Sequence, residues 1–206
     1  MVLYGAGGSQ ASSSNLEKTA LRGEQGMFQK LMDDDEVPQG NADQAAIHAL
    51  IAALSDKDGR VRQRARWALI DIGEPAVAPL IEALADKRER VRWQAAKALS
   101  KIGSPAAGPA LVRALEDKRF GVRWLAAEGL IALRREGLVS LLEALVSRSD
   151  SAWLREGAHH VLHTLAEEGL RADVSPVLAA LEDVEPAVEC PGAAKTVLNK
   201  LRDSFD

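Results

Sequence analysis

Three of the four histidines of this 206-residue chain, His159, His160 and His163, fall close together, with Glu156 one turn before His160. On a helix His159 and His163 share a face at i, i+4, a spacing that can chelate a metal. A metal site needs three or four ligands, and no second segment carries a matching cluster. The histidines therefore read as solvated or interface groups, and neither a metal nor another cofactor is expected. No Gly-x-Gly-x-x-Gly or Walker-type loop occurs, and no serine sits in an elbow motif. Four tryptophans, Trp67, Trp93, Trp124 and Trp153, are interleaved with basic residues. Tryptophan and arginine are the side chains most enriched at binding hot spots, so the chemistry on offer is recognition rather than catalysis.

The elements that position these residues repeat. Leu54-Ser55-Asp56-Lys57 returns as Leu84-Ala85-Asp86-Lys87 and as Leu115-Glu116-Asp117-Lys118, and Val61-Arg62, Val91-Arg92 and Val122-Arg123 follow at one offset. The period is 30 and then 31 residues. Ala65, Ala68, Leu69, Ile72, Gly73 and Pro75 match Ala95, Ala98, Leu99, Ile102, Gly103 and Pro105. A weaker fourth unit begins near Leu145, a fifth runs from Leu181 to Leu201, and Ala42 to Leu54 supplies a leading half-unit. Val91, Ala95, Ala98, Leu99 and Ile102 mark one face of a helix, Gly103 ends it, and Pro105 suits the first turn of the next. One such antiparallel pair cannot bury its apolar stripe alone, so successive pairs must stack around a continuous core.

The pattern Leu-x-Asp-x-x-x-x-Val-Arg-x-x-Ala-x-x-Ala-Leu-x-x-Ile-Gly, followed by Pro-Ala-x-x-Pro-Leu, resembles the short bacterial HEAT-like repeats found in phycobilin lyases and many scaffolds. The resemblance covers Ala42 to about Leu201 and is strongest over residues 54–133. It implies an all-α solenoid of about ten helices in a right-handed superhelix, with the valine-arginine helices lining its concave face. It also implies that the turn aspartate and the arginine six residues later bond between neighbouring repeats, a role matched by Asp56/Arg62, Asp86/Arg92 and Asp117/Arg123, with Asp150/Arg155 one residue short. Resemblance to the di-iron deoxyhypusine hydroxylases would require His-Glu pairs after the valine. Gln63-Arg64, Trp93-Gln94, Trp124-Leu125 and Glu156-Gly157 stand there instead. Trp67 with Asp71 one turn later is faintly similar to the DNA-cradling set of HEAT-like alkylation-repair glycosylases, whose repeats are much less regular.

At about 100° per residue, the offsets 0, 4, 7, 8 and 11 from each valine form the buried arc, and offsets 2, 3, 6 and 10 form the exposed one. That places Trp67, Trp93, Trp124 and Trp153 in one row, together with Arg64, Gln94, Lys97, Lys101, Leu125, Glu128 and His160. These eleven residues are the expected partner-binding surface. Packing between repeats is the commoner fate of a helical aromatic, but valine, alanine, leucine and isoleucine already fill the core positions. Arg60, Arg64, Arg90, Lys97 and Lys101 outnumber Asp71, Glu128 and Glu156 along the stripe, whose first half should attract acidic ligands.

Composition agrees with this reading. The chain is 47% apolar and only 4% aromatic, which argues against an all-β fold, and its net charge of −4 is not that of a nucleic-acid binder. The single Cys190 allows no intramolecular disulfide, which suits a reducing cytoplasm, and no run of 18 apolar residues marks a membrane span. Residues 1–41 hold Ser12-Ser13-Ser14 and the acid run Asp33-Asp34-Asp35-Glu36, a composition that predicts a disordered or weakly helical tail or docking peptide preceding a repeat domain at 42–206. The expectation is a non-catalytic scaffold or adaptor that binds a protein or peptide segment on its tryptophan-lined face. A phycobilin-lyase-like tetrapyrrole handler and a DNA-alkylation glycosylase are the alternatives.

Overall fold

A computed structural model describes residues 44–203. The tail expected at residues 1–41 lies outside them. The chain runs through α1 (Gln44–Ala53), α2 (Gly59–Ile72), α3 (Val77–Ala83), α4 (Glu89–Ile102), α5 (Gly108–Ala114), α6 (Phe120–Ala132), α7 (Arg135–Arg148), α8 (Ala152–Leu165), α9 (Arg171–Leu181) and α10 (Pro186–Asp203). There is no strand among the described residues. The valine-arginine helices α2, α4, α6 and α8 pack side by side as one layer. α1, α3, α5 and α7 form the second layer behind it, so the fold is an α-solenoid of stacked helix pairs.

The core follows the repeat. Ala65, Ala95 and Ala126 are fully buried where helices cross closely, and Leu69, Leu99 and Leu130 fill the same depth four residues on. The turn after each first helix needs a positive φ. Gly73 (φ 72°) and Gly103 (φ 70°) provide it, each donating its N–H to the leucine carbonyl four residues back. Pro75 and Pro105 then open short 3₁₀ turns that lead into α3 and α5. In the third unit the glycine position is held by Arg134, bent to φ 51° all the same. Its guanidinium donates to the Glu168 carboxylate at 2.8 Å and to the Glu168 carbonyl at 3.0 Å.

The aspartate turns are built alike. Asp56, Asp86 and Asp117 each accept the backbone N–H two residues on, at 2.7, 2.7 and 2.8 Å. Arg62, Arg92 and Arg123 each donate Nη1 to the carbonyl of the aspartate six residues back in their own unit, at 2.7, 2.8 and 3.0 Å. The expected ladder between repeats is therefore mostly a bond within repeats. Only Arg92 also reaches the next unit's aspartate, Asp117, pairing with both oxygens. In the fourth unit Ser149 takes the aspartate's place, and Arg155 donates to its carbonyl at 2.5 Å, which restores the six-residue spacing that Asp150 would have shortened.

Beyond α8 the repeat does not continue as the sequence suggests. No Gly-x-Pro turn follows α8. A π turn at Ala166–Leu170, with Gly169 at φ 105°, leads into α9, which packs on α8 and α10. α10, not α9, then lies against α7 in the second layer. The fifth unit is thus not a further pair of the same kind but a cap that closes the array.

Candidate functional site

The outer surface of the α2–α4–α6–α8 layer carries two hollows. The larger, about 790 Å³, lies between α2 and α4 and is lined by Arg62, Arg66, Arg88 and Arg90 with Glu89, Trp93 and Gln94. The smaller, about 190 Å³, lies between α6 and α8 among Phe120, Arg123, Trp124, Trp153, Glu156 and His160. Both sit beside the first turns of their helices, where the aspartate turns set the entry of each chain segment.

Trp67 of α2, Trp124 of α6 and Trp153 of α8 have 48, 45 and 45% of their surface exposed. Trp93 is half-buried, packed against α6 where Gly121 leaves room for it: a Cβ on Gly121 would lie 3.3 Å from Trp93 Cδ1. Arg64, Lys101 and Glu128 are exposed, and Lys97 is half-buried. His160 stacks on Trp124 with ring centroids 4.8 Å apart, and its Nε2 lies 3.7 Å from Glu128 Oε1. Gln94 and Leu125, both at offset 3, are only 7 and 5% exposed, which corrects their placement on the open face. At that offset stacking of the helices covers the side chain, which the geometry of a lone helix leaves open. Leu125 is core. Gln94 accepts a hydrogen bond from Arg66 Nη1 at 2.6 Å across 28 residues of sequence.

The sequence reading left off the face two arginines that organise it. Arg66 places its guanidinium carbon 5.8 Å from the ring centroids of both Trp67 and Trp93, and Arg123 places its own 5.7 Å from Phe120 and 5.2 Å from Trp153. Two arginines are thus each held between aromatic rings of successive units, an arrangement favoured by the ring quadrupole. Their offsets, 5 and 1 from the valine, fall on the flank of the helix, outside the arc assigned to the surface. The signal available was adjacency, since each immediately precedes a tryptophan.

The electrostatics of the larger hollow are one-sided. Arg88 is neutralised by Asp86, whose carboxyl its hydrogen bonds hold down at about 2, and Glu89 is drawn to Arg119 at 3.0 Å. Among the described residues no carboxylate lies within ion-pair distance of Arg62, Arg66 or Arg90, and Arg62 Nε is buried without a hydrogen-bond partner. Burial lowers the Arg66 pKa, and no carboxylate within ion-pair distance among the described residues offsets it.

His159 and His163 lie on a different flank. His159 Nε2 is 3.2 Å from Glu182 and His163 Nδ1 is 3.8 Å from Glu167, and no group of three potential metal ligands converges among the described residues. Cys190 is buried in the end cap, and burial pushes its thiol up. No described helix is long and apolar enough to cross a membrane.

A family model for HEAT repeats matches residues 47–131 and again 77–163, together more than half of the chain. The chain belongs to the HEAT repeat family. No curated protein matches it. Among solved structures, it is similar to an engineered protein at 20% identity, covering 74% of this chain and 81% of that one with a TM-score of 0.36. It is also similar to a designed armadillo repeat protein in complex with the peptide (KR)4, at 18% identity, covering 92 and 95% with a TM-score of 0.37.

Proposed function

We propose that this chain is a non-catalytic scaffold that binds a protein or peptide segment across the tryptophan-lined face of α2, α4, α6 and α8. One observation carries the reading: Trp67, Trp124 and Trp153 stand nearly half-exposed on one layer whose core is already filled. A tryptophan buries up to about 250 Å², so covering the exposed half of one ring would remove about 100 Å² from water. At about 25 cal/mol per Å² that is worth about 2–3 kcal/mol. Cation–π contacts hold Arg66 and Arg123 beside these rings, and prior ordering of long side chains reduces the entropy lost when a partner arrives. The hollow beside Trp124 and Trp153 has room for about one large side chain of the partner, with Glu156 and His160 at its rim.

The test is to select peptides on the full chain by display and to measure the affinity and melting of Trp124→Ala and Trp153→Ala with the selected sequence. The reading expects affinity to fall and melting to hold. If both variants melt early yet bind as tightly per folded molecule, the rings are packing between repeats and the scaffold has no such face.

A further inference from the structure

The hollow between α2 and α4 is lined by four arginines, of which only Arg88 has a carboxylate partner among the described residues. Arg62, Arg66 and Arg90 have no carboxylate partner among the described residues, and Arg62 Nε is buried and unbonded. Such a wall of arginines is suited to carboxylates, which guanidinium groups bind through paired N–H donors. The chain as a whole is acidic, and its densest block of acid, Asp33-Asp34-Asp35-Glu36, lies just before α1. We propose that the cleft lined by Arg62, Arg66 and Arg90 is the docking site of this acidic run of the same chain, so that the first half of the face is covered by its own N-terminal segment. This goes beyond the scaffold reading and stands or falls separately from it.

Chain length allows the contact. α1 runs from Gln44 to Ala53, and Ser55 and Gly59, at the far end of α1 and the start of α2, line the cleft. A returning segment must retrace the helix, roughly 14 Å at 1.5 Å per residue, and cross one interhelical spacing of about 10 Å. The eight steps from Glu36 to Gln44 span up to about 27 Å when extended, at about 3.4 Å per residue. A short tether also gives the run an effective concentration on the order of millimolar. A contact of about 100 μM intrinsic affinity would then keep the cleft closed about ten times in eleven and weaken an identical peptide added in trans about tenfold.

The experiment uses the full chain and a labelled peptide with the sequence of residues 28–41. Its binding is measured by fluorescence anisotropy to the wild-type chain and to a chain carrying Asp33→Asn, Asp34→Asn, Asp35→Asn and Glu36→Gln. The expected result is binding to the neutralised chain about tenfold or more tighter than to the wild type, weakened by salt. Arg66→Gln and the exposed Arg90→Gln, each placed in the neutralised chain, should each reduce it, and Arg90 contributes to the fold only a 3.5 Å contact with the Asp56 carbonyl. Equal binding to the wild-type and neutralised chains would overturn the proposal, as would no binding to the neutralised chain. Sedimentation provides a further check: a wild-type dimer that neutralisation dissociates would place the acidic run on a second copy and would also overturn it. Loss of self-docking with intact Trp124-dependent peptide binding would leave the scaffold reading standing.

Discussion

Arg92 leaves its own repeat to grip Asp117 of the next, with Nε 2.5 Å from Oδ2 and Nη2 3.1 Å from Oδ1, while its Nη1 still caps the Asp86 carbonyl. The two side chains are 7 and 10% exposed, so the pair is close to fully desolvated. In a stack where each unit touches only its neighbours, a bond of this kind couples the stability of adjacent units.

Removing one partner of a buried pair leaves the other charge uncompensated, at a cost of about 3 kcal/mol or more. Asp117→Asn is therefore expected to lower stability by about that amount at neutral pH. Burial opposes the charge on Asp117, but the hydrogen bonds from Arg92 and the Arg119 N–H outweigh it and hold the carboxyl below its ordinary value. A depressed acid contributes stability that is present above the unfolded pKa, about 3.9, and lost as pH falls through the folded one. The deficit of Asp117→Asn relative to wild type should therefore shrink below about pH 4. Urea melts at a series of pH values check this, and a deficit independent of pH would remove the ion pair from the account.

Gly137 closes the approach of α7 to α6. A Cβ there would lie 2.1 Å from the Leu130 carbonyl oxygen, a backbone atom that cannot swing aside. Gly137→Ala is expected to destabilise by about 3 kcal/mol through overpacking, despite the helix propensity gained. Gly129, whose Cβ would meet the flexible end of Leu111 at 2.9 Å, should cost clearly less when changed to alanine. Paired thermal melts of the two variants check the order.

At Arg134 two effects oppose each other. A non-glycine residue at φ 51° carries strain of about 1–3 kcal/mol, whereas an exposed pair such as Arg134–Glu168 is worth about 0–1 kcal/mol. Strain should win, so Arg134→Gly is expected to raise stability by about 1 kcal/mol and return the third unit to the glycine turn of the first two. A drop in melting temperature would show instead that the bonds to Glu168 tie the α6–α7 turn to the end cap.

Much of the fold was legible because the repeat encodes it several times over. Val91, Ala95 and Leu99 could be read as core since their counterparts in the next unit keep the same spacing. The end cap was not legible, because the π turn at Ala166–Leu170, with Gly169 near its end, forms without the Gly-x-Pro signal and nothing local tells α10 to replace α9 against α7. The exposure of Trp67, Trp124 and Trp153 was legible from angle alone, whereas that of Gln94 and Leu125 was misread from it. A helical wheel knows nothing of the neighbouring helix. Arg66 and Arg123 escaped for the same reason: their contacts are with rings one repeat away, a relationship that exists only after stacking.

The central claim is that the tryptophan-lined face binds a partner segment. Its most direct test is titration calorimetry of a display-selected peptide against the wild type and Trp124→Ala, with melting temperatures taken on the same samples. The account predicts a loss of about 2 kcal/mol, near thirtyfold in affinity, with melting nearly unchanged. Unchanged affinity in a Trp124→Ala protein, whether or not its melting falls, would contradict it.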